Sequence, residues 1–371
     1  MNLAAADKPK LVLLLDELAR AVEDLLLSGL TTASEATRQT LNVSFQEASR
    51  LRLLRLGSTL RVANEELGRF TRNEPAFSRK RLSFFLNRAW LLSHGLARAL
   101  RQGDDKEVDR LLWVPANQPV NRLEVVTLGV AKKVVTGAFC AFEFRLRLLQ
   151  ASEGIDAGRR LVWSCIFPTK PGVDIPPESF LQLAQKQKFK PTVFLEGKRV
   201  IIDRAAVALD EFGGGRISLG EQSTVTVGRA FAGWNQFRTW DVPAALERIR
   251  SHQPGPLDLE VEMQEEIVLD DWQIGEPDEG EEGQTIYPVT CGSVPFDAVV
   301  SPGIEGKVLR QGLEGLRKKK QRPPLFGLLH YEQCRLILQP LSLLGKNGPE
   351  SLTLSRDQVD RKALLKALNF S

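Results

Sequence analysis

Residues that could perform chemistry are few and scattered along this 371-residue chain. It has three histidines, His94, His252 and His330, and four cysteines without a CxxC pair. A zinc site needs several such ligands at short spacing, and only His330 and Cys334 come close, in a pattern that favours strands. A hydrolytic triad needs a histidine supported by a carboxylate beside a nucleophile, and no such set is recognisable. We therefore predict no metal site, no cofactor and no catalytic residue.

Motifs that could hold phosphate or a divalent cation are incomplete. Gly215 and Gly220 have the spacing of a P-loop, but Glu and Gln stand where Lys and Ser/Thr belong. Asp270 and Asp271 could bind a cation, yet they lie on an extended segment without a third converging carboxylate. The glycines are expected to serve loops instead of a nucleotide.

The elements that must position any site fall into two unlike parts. Over roughly residues 10–112, capping signals and apolar residues spaced three and four apart predict amphipathic helices. A short second helix that opens at Thr32 is expected to precede a long third helix over 44–70 and a fourth over 78–102. Residues 1–116 are therefore predicted to form an antiparallel helical bundle.

From Arg122 onwards, β-branched and aromatic runs cut by Gly and Pro predict strands. Two adjacent strands are expected over 123–135 and 138–149, a third over 160–167, and a compact hairpin over 192–202. The predicted class is α+β, with a mixed, β-rich domain over 120–345 and a C-terminal helix over 355–370. Further strands are predicted at 216–219, 223–227, 257–263, 266–269, 325–331 and 335–338, and short helices at 178–187 and 243–250.

Charge is segmented along the chain although the formal net charge is only +4. Residues 38–101 contain 13 Lys/Arg against 4 Asp/Glu, whereas residues 258–282 contain 12 acidic residues and no basic one. Arginines mixed with apolar residues on one side of the long helix are typical of a surface that binds a protein partner. The residues predicted to form it are Arg50, Leu51, Leu54, Arg55, Arg61, Val62, Arg69 and Arg72.

Nucleic-acid binding is the alternative interpretation. The Arg-rich helical faces of residues 38–101, and a basic segment formed by Lys318, Lys319, Lys320 and Arg322, could contact phosphates. The aromatic residues Trp234, Phe237 and Trp240 lie near arginines, which is the combination that single-strand binding uses. A purely structural interpretation stays open, because helical arginines also form salt bridges and cover neighbouring helices with their aliphatic stems.

Composition also sets an expectation for the compartment. The four scattered cysteines lie among apolar residues, which favours buried free thiols in a reducing cytoplasm. No stretch approaches the roughly 18 apolar residues that a membrane span requires. We expect a cytoplasmic protein that does not enter a membrane.

The N-terminal third carries a resemblance to a known group of proteins. Residues 29–38, continuing through 45–51 to 63–67, are similar to bacterial accessory proteins encoded beside SWIM zinc-finger proteins and MoxR-type ATPases. The resemblance implies an accessory role in a multi-protein system powered by a partner ATPase, and it transfers no functional residue. We therefore expect a non-catalytic accessory or scaffold subunit.

Overall fold

The structure is a computed structural model in which the chain divides into an N-terminal helical unit and a following β-rich unit. The α+β class predicted from the sequence is confirmed. The predicted strand over 257–263, the C-terminal helix and nearly all of the predicted 243–250 helix lie outside the described residues. The structure describes residues 8–30, 35–51, 53–74, 77–112, 117–135, 139–169, 175–209, 214–237, 243, 247, 265–280, 283–332 and 335–355.

Five helices form the N-terminal unit around one apolar core that all of them share. The core residues recur at spacings of three and four along each helix, as an amphipathic pattern requires. The fourth helix begins at Ser78, whose side chain accepts a hydrogen bond from Arg81 N, and ends at Gly103 in the left-handed conformation. The helices are α1 (Lys8–Ser28), α2 (Glu35–Arg50), α3 (Leu54–Thr71), α4 (Arg79–Gln102) and α5 (Asp105–Leu112).

The prediction of one long helix over 44–70 is wrong. The chain turns at residues 51–53, so that α2 and α3 are separate helices packed against each other. A straight helix buries one stripe only, whereas the turn lets Leu41 of α2 and Leu60 of α3 enter the same core. Leu53 is itself buried at the turn. Burial of this additional apolar surface outweighs the helical propensity of the segment.

The first half of the β-rich unit is a closed five-stranded barrel in the order β1-β2-β3-β5-β4. All neighbours are antiparallel except β3 and β5, which are parallel. The long β1 pairs with β4 through its first half and with β2 through its second half, and its register shifts between Thr127 and Gly129. The strands are β1 (Asn117–Val135), β2 (Phe139–Leu148), β3 (Arg160–Pro168), β4 (Lys198–Leu209) and β5 (Gly214–Ala230).

Two predictions for the segment between β3 and β4 are wrong. The predicted helix over 178–187 is a short 3-10 helix, Pro177–Gln182, and the first strand of the predicted hairpin is another, Pro191–Leu195. Proline occupies the opening turn of each, where its missing N–H costs nothing. Phe180 and Phe194 anchor these helices in the barrel core, together with Trp163 and Phe167.

The second half of the unit is a sheet in the order β6-β11-β12-β10-β9-β7, in which β10 and β12 are parallel. Within the acidic segment 258–282, β8 is a short strand that pairs with β9. A helix, α6 (Gly303–Arg317), connects β10 to β11. The strands are β6 (Glu265–Leu269), β7 (Trp272–Ile274), β8 (Asp278–Glu279), β9 (Thr285–Cys291), β10 (Val294–Val300), β11 (Leu325–Glu332), β12 (Arg335–Gly345) and β13 (Gly348–Ser351).

The second sheet repeats the topology of the first barrel. Only Asp270 and Asp271 separate β6 from β7, and this pair of strands joins β11 on one side to β9 on the other, as β1 joins β4 to β2. Strands β10 and β12 are parallel like β3 and β5, and α6 takes the position of the two 3-10 helices. This is the arrangement of the five-stranded Greek-key barrel called the OB-fold. The β-rich unit therefore contains a closed barrel and a sheet with the same strand order, which we call the second barrel.

The two barrels share a buried apolar layer. Val126 and Leu128 of β1 lie in one cluster with Phe326 and Leu341 of the second barrel. A Cβ atom at Gly129 would lie 2.8 Å from a ring carbon of Phe326 and 2.9 Å from Leu341 Cβ. The glycine is therefore required by the close approach of the barrels, since real Cβ atoms do not pack so tightly.

Candidate functional site

The outer side of α3 brings together several of the residues predicted to bind a partner. Leu54, Arg61 and Val62 lie on α3, and Leu54 is 53% exposed. Arg72, the exposed C-cap residue of the helix, pairs with Glu74 at 2.6 Å. Arg61 is exposed and has no ion pair or hydrogen-bond partner within the described parts of the chain. We call these four residues, with the exposed Ser58 between them, the α3 outer face.

Arg69 does not belong to the α3 outer face, although the sequence pattern placed it there. Its side chain is buried and pairs with Glu65 and with Glu66, the latter at 2.5 Å. An arginine that satisfies two carboxylates inside a helical unit acts in packing, because leaving one buried charge without its partner is costly. The correction follows from the acidic residues at i−3 and i−4, which the sequence already contained.

Glu66 is the centre of this buried network. The side chain is completely buried and accepts hydrogen bonds from Arg69 Nη1, from Arg81 Nη1 at 3.0 Å and from Ser78 N at 2.9 Å. It thereby joins α3 to the beginning of α4. Buried carboxylates are tolerated when each oxygen has such donors. The Glu66 carboxylate therefore stabilises the packing of α3 against the beginning of α4.

The remaining predicted residues near the turn are divided between surface and core. Arg50 is exposed and pairs with Glu47 at 2.8 Å on the same helix. Leu51 is half-buried and packs against the helical core, and Arg55 is half-buried. The structure therefore brings part of the predicted set together on the α3 outer face and leaves Arg50, Leu51 and Arg55 beside it.

The basic segment predicted to contact nucleic acid is divided in the same way. Lys318, Lys319 and Lys320 are exposed directly after α6. Arg322 instead donates from Nε to Leu316 O at 2.8 Å, and its guanidinium lies 5.6 Å from the centre of the Trp272 ring. A cation that caps the last carbonyls of a helix stabilises that helix end. Arg322 therefore has a structural use.

The β2–β3 face of the first barrel is the surface on which OB-folds hold ligands. Here its basic residues contact the second barrel. Arg147 pairs with Glu266, Arg145 has a nitrogen 4.0 Å from Glu266, and Arg160 pairs with Glu265 at 2.9 Å. Glu265 and Glu266 of the acidic segment 258–282 thus neutralise arginines of the same unit. This half of the face is an internal contact.

The other half of the β2–β3 face is open and small. Ile166 of β3 is 66% exposed opposite the half-buried Ala141, and Lys133 lies beside Ala141 on β1. Trp234, which the sequence suggested as an exposed stacking platform, is instead buried between Phe231 and Gly348. The described aromatic residues therefore do not supply the stacking surface expected for a single strand.

A turn rich in lysine, which the sequence analysis missed, follows the first 3-10 helix. Gln185 N donates to Phe189 O at 2.8 Å, and Lys188 N donates to Gln185 O at 2.9 Å. Phe189 is buried against Trp163, so the turn is anchored to the barrel core. We call residues 185–190 the lysine turn. The signal available in the sequence was the alternation of lysine around a single aromatic anchor at Phe189.

Three cations of the lysine turn point to solvent. Lys186, Lys188 and Lys190 are exposed, and within the described residues none has an ion pair or hydrogen bond through its side chain. Lys188 adopts a positive φ of 61°. A non-glycine residue held in this conformation costs about 1–3 kcal/mol, which the anchored neighbours must offset.

A bulge in the β4–β5 pair lies beside the lysine turn. Arg204 is exposed with a φ of 58°, where the register shifts between Asp203 and Ala205. Ser223 donates to Arg204 O and accepts from Gly220 N at 2.9 Å. Gln187 Nε2 of the lysine turn donates to Gly220 O at 3.0 Å, so the two segments are joined. We call this feature the Arg204 bulge.

The incomplete catalytic motifs have structural positions. Gly215 and Gly220, which have the P-loop spacing, both lie within β5. A Cβ atom at Gly215 would lie 3.1 Å from the Leu161 and Leu209 side chains. Burial raises the pKa of the Cys165 thiol to about 12, which disfavours the reactive thiolate. Cys334 lies outside the described residues, and His330 is on β11. Within the described residues no three His, Cys, Asp or Glu side chains group as metal ligands would.

The comparisons with known proteins assign no family. No family model matches the chain, and no curated protein matches it. A solved structure described as the tetrameric p202 HIN2 is similar over 64% of this chain and 96% of its own, with 10% identity and a TM-score of 0.29. A likeness at this TM-score carries no argument. None of the described helices combines the length and apolar character needed to cross a bilayer.

Proposed function

We propose that this chain is a non-catalytic accessory subunit that binds a protein partner through the α3 outer face. The observation that carries the proposal is the position of Leu54, an exposed leucine on the same side of α3 as Arg61, which has no ion-pair partner among the described residues. Interface centres favour arginine beside apolar anchors, and an arginine without an internal partner is available for one.

The β-rich unit supports a scaffold role. Its two barrels are held together by a shared apolar layer and by the contacts of Glu265 and Glu266 with three arginines. Their buried ionisable side chains, such as Lys132 and Glu178, pair with each other at 2.8 Å. A buried ion pair of this kind holds the two segments that carry it in one relative position. We propose a partner from an ATPase-associated system of the MoxR type, which is what the N-terminal resemblance implies.

The test is a binding titration of the full chain against a MoxR-type ATPase captured from the native host. Changing Leu54 and Val62 to Ser is expected to weaken binding at least tenfold, since each loses its apolar contact. Leu27→Ser is the matched control, because Leu27 is 80% exposed on α1 of the same unit. Equal affinity of the double variant and the wild type would refute the proposal, provided that both melt at the same temperature.

A second candidate function is nucleic-acid binding, and the barrel topology favours it. Barrels of this arrangement bind oligonucleotides in other proteins. Exposed Lys318, Lys319 and Lys320 supply charge on the second barrel. Titration of a labelled oligonucleotide at several salt concentrations tests it, because phosphate contacts weaken steeply as salt rises. A salt-independent signal would contradict it.

A further inference from the structure

We infer that the lysine turn and the Arg204 bulge together form a binding site for the phosphate backbone of nucleic acid. The site is separate from the α3 outer face and from Lys318, Lys319 and Lys320. The inference rests on the second candidate function and assigns the nucleic-acid contact to the first barrel. If Lys318, Lys319 and Lys320 carry the binding instead, the inference is refuted and the second candidate function is not.

The lysine turn and the Arg204 bulge lie side by side because hydrogen bonds join the two segments. Gln187 Nε2 donates to Leu219 O at 3.3 Å and to Gly220 O at 3.0 Å, which places the lysines on either side of Gln187 beside the bulge. Ser223 ties the same loop to Arg204 O. The site contains four cations. Its loop carries the carboxylate of Glu221, and Asp203, next to Arg204, pairs with Arg122 at 3.3 Å.

Among the residues that the structure describes, these cations have no internal partner. No ion pair or hydrogen bond of the Lys186, Lys188 or Arg204 side chain occurs in the described part of the structure, and all three are exposed. By contrast, Arg145, Arg147 and Arg160 of the same barrel contact carboxylates. The barrel therefore neutralises its basic residues on one side and leaves a group of them open to solvent on another.

The backbone holds two of the cations in an unusual conformation. Lys188 and Arg204 have φ angles of 61° and 58°, and each is fixed by neighbours that are themselves hydrogen-bonded. Bulges and left-handed residues aim side chains in directions that a regular strand cannot, and they concentrate at binding sites. Preorganised cations lose less freedom when an anion binds.

The chemistry favours nucleic acid over a protein or a membrane. Lysine is depleted in protein interfaces, and the lysine turn buries its only apolar side chain, Phe189, in the barrel. Basic membrane-surface sites lie beside a membrane-spanning helix or on an amphipathic helix with apolar residues, and the lysine turn lies outside any helix. Phosphate tracking needs positive charge without apolar anchors, which matches the exposed side chains here.

The test measures binding of the full chain to a fluorescent oligothymidine strand and to a duplex over a range of salt. The main variant combines Lys186→Gln, Lys188→Gly and Lys190→Gln, in which glycine accepts the positive φ of position 188. The matched control combines Lys10→Gln, Lys106→Gln and Lys307→Gln, which removes the same charge from exposed lysines outside every proposed binding surface.

The main variant is expected to lose at least tenfold in affinity at low salt. The slope of log affinity against log salt concentration should become less steep by about two. Three cations are removed, and each phosphate contact contributes roughly 0.7 to this slope for a single strand. The control should bind like the wild type. A second variant, Arg204→Asn, keeps a residue that tolerates the left-handed conformation and should lose affinity in the same direction, by a smaller factor.

Several outcomes would overturn the inference. These are absence of oligonucleotide binding by the wild type, equal binding by the main variant, or a loss in the control as large as in the main variant. Binding to phosphatidylserine vesicles without binding to either oligonucleotide would also overturn it. Thermal melts separate folding from binding, and if the main variant melts lower, Arg204→Asn alone decides.

Discussion

Arg147 of β2 donates a hydrogen bond to Glu266 of β6, and this contact joins the two barrels of the β-rich unit. A nitrogen of Arg145 lies 4.0 Å from the same carboxylate, so one buried acidic residue faces two arginines. The arrangement explains how an acidic stretch and a basic strand coexist in a chain of nearly balanced charge. It also removes these arginines from the surface available to a ligand.

Removal of this carboxylate should destabilise the β-rich unit. Glu266→Ala leaves Arg145 and Arg147 buried without it, and loss of one partner from a buried pair costs about 3–5 kcal/mol. Denaturant unfolding of the full chain measures the change. Glu196→Ala is the control, because Glu196 pairs with Lys198 at the surface and should cost under about 1 kcal/mol. Similar small losses in both variants would contradict the role of Glu266.

Gly129 should tolerate no side chain. Gly129→Ala forces a Cβ atom against Phe326 and Leu341, and overpacking of this kind costs about 1–3 kcal/mol. Gly315→Ala is the matched change on α6, where a Cβ atom meets nothing within 4 Å, and it should stabilise by up to about 1 kcal/mol. The expected result is a lower free energy of unfolding for Gly129→Ala and a higher one for Gly315→Ala, each compared with the wild type. A neutral Gly129→Ala would mean that the barrels can separate at this point.

The two leucines of α3 should behave differently. Leu60 is completely buried, so Leu60→Ala should cost about 2–5 kcal/mol. Leu54 is largely exposed, and Leu54→Ala should cost under about 1 kcal/mol because surface changes rarely exceed that. Thermal unfolding of both variants gives the comparison. A large loss at Leu54 would place the α3 outer face inside the folded unit and remove it as a partner surface.

Tyr287 should make stability fall at high pH. Burial raises the pKa of its phenol to about 12, and its hydrogen bond to Glu314, at 2.9 Å, acts in the same direction. The unfolded tyrosine ionises near pH 10, so the stabilisation is complete below about pH 10 and is lost as pH rises towards 12.

The measurement follows phenolate absorbance during an alkaline titration. In a Tyr331→Phe variant, Tyr287 is the only tyrosine, so the titration reports its pKa directly. Tyr287→Phe should show a smaller loss of stability over the same pH range. A midpoint near 10 in the folded protein would refute the assignment.

The sequence by itself determined the helical unit and most strands of the first barrel. Period and capping signals are local, which is why α4 begins at Ser78 and ends at Gly103 where a cap and a glycine stand. The strands over 123–135 and 160–167 were predicted for the same reason, because the pattern of apolar and polar residues along a strand is local. The position of Leu60 in the core also followed from spacing alone.

The tertiary structure alone decided what depended on distant partners. The turn between α2 and α3 forms because both helices gain burial, and the short β7, β9 and β10 are strands because neighbours pair with them. Arg322 looked like a surface cation until Trp272, 50 residues away, came into contact with it. The lysine turn emerged in the same way: Gln187 reaches a strand 32 residues away, and no local pattern encodes such a bond.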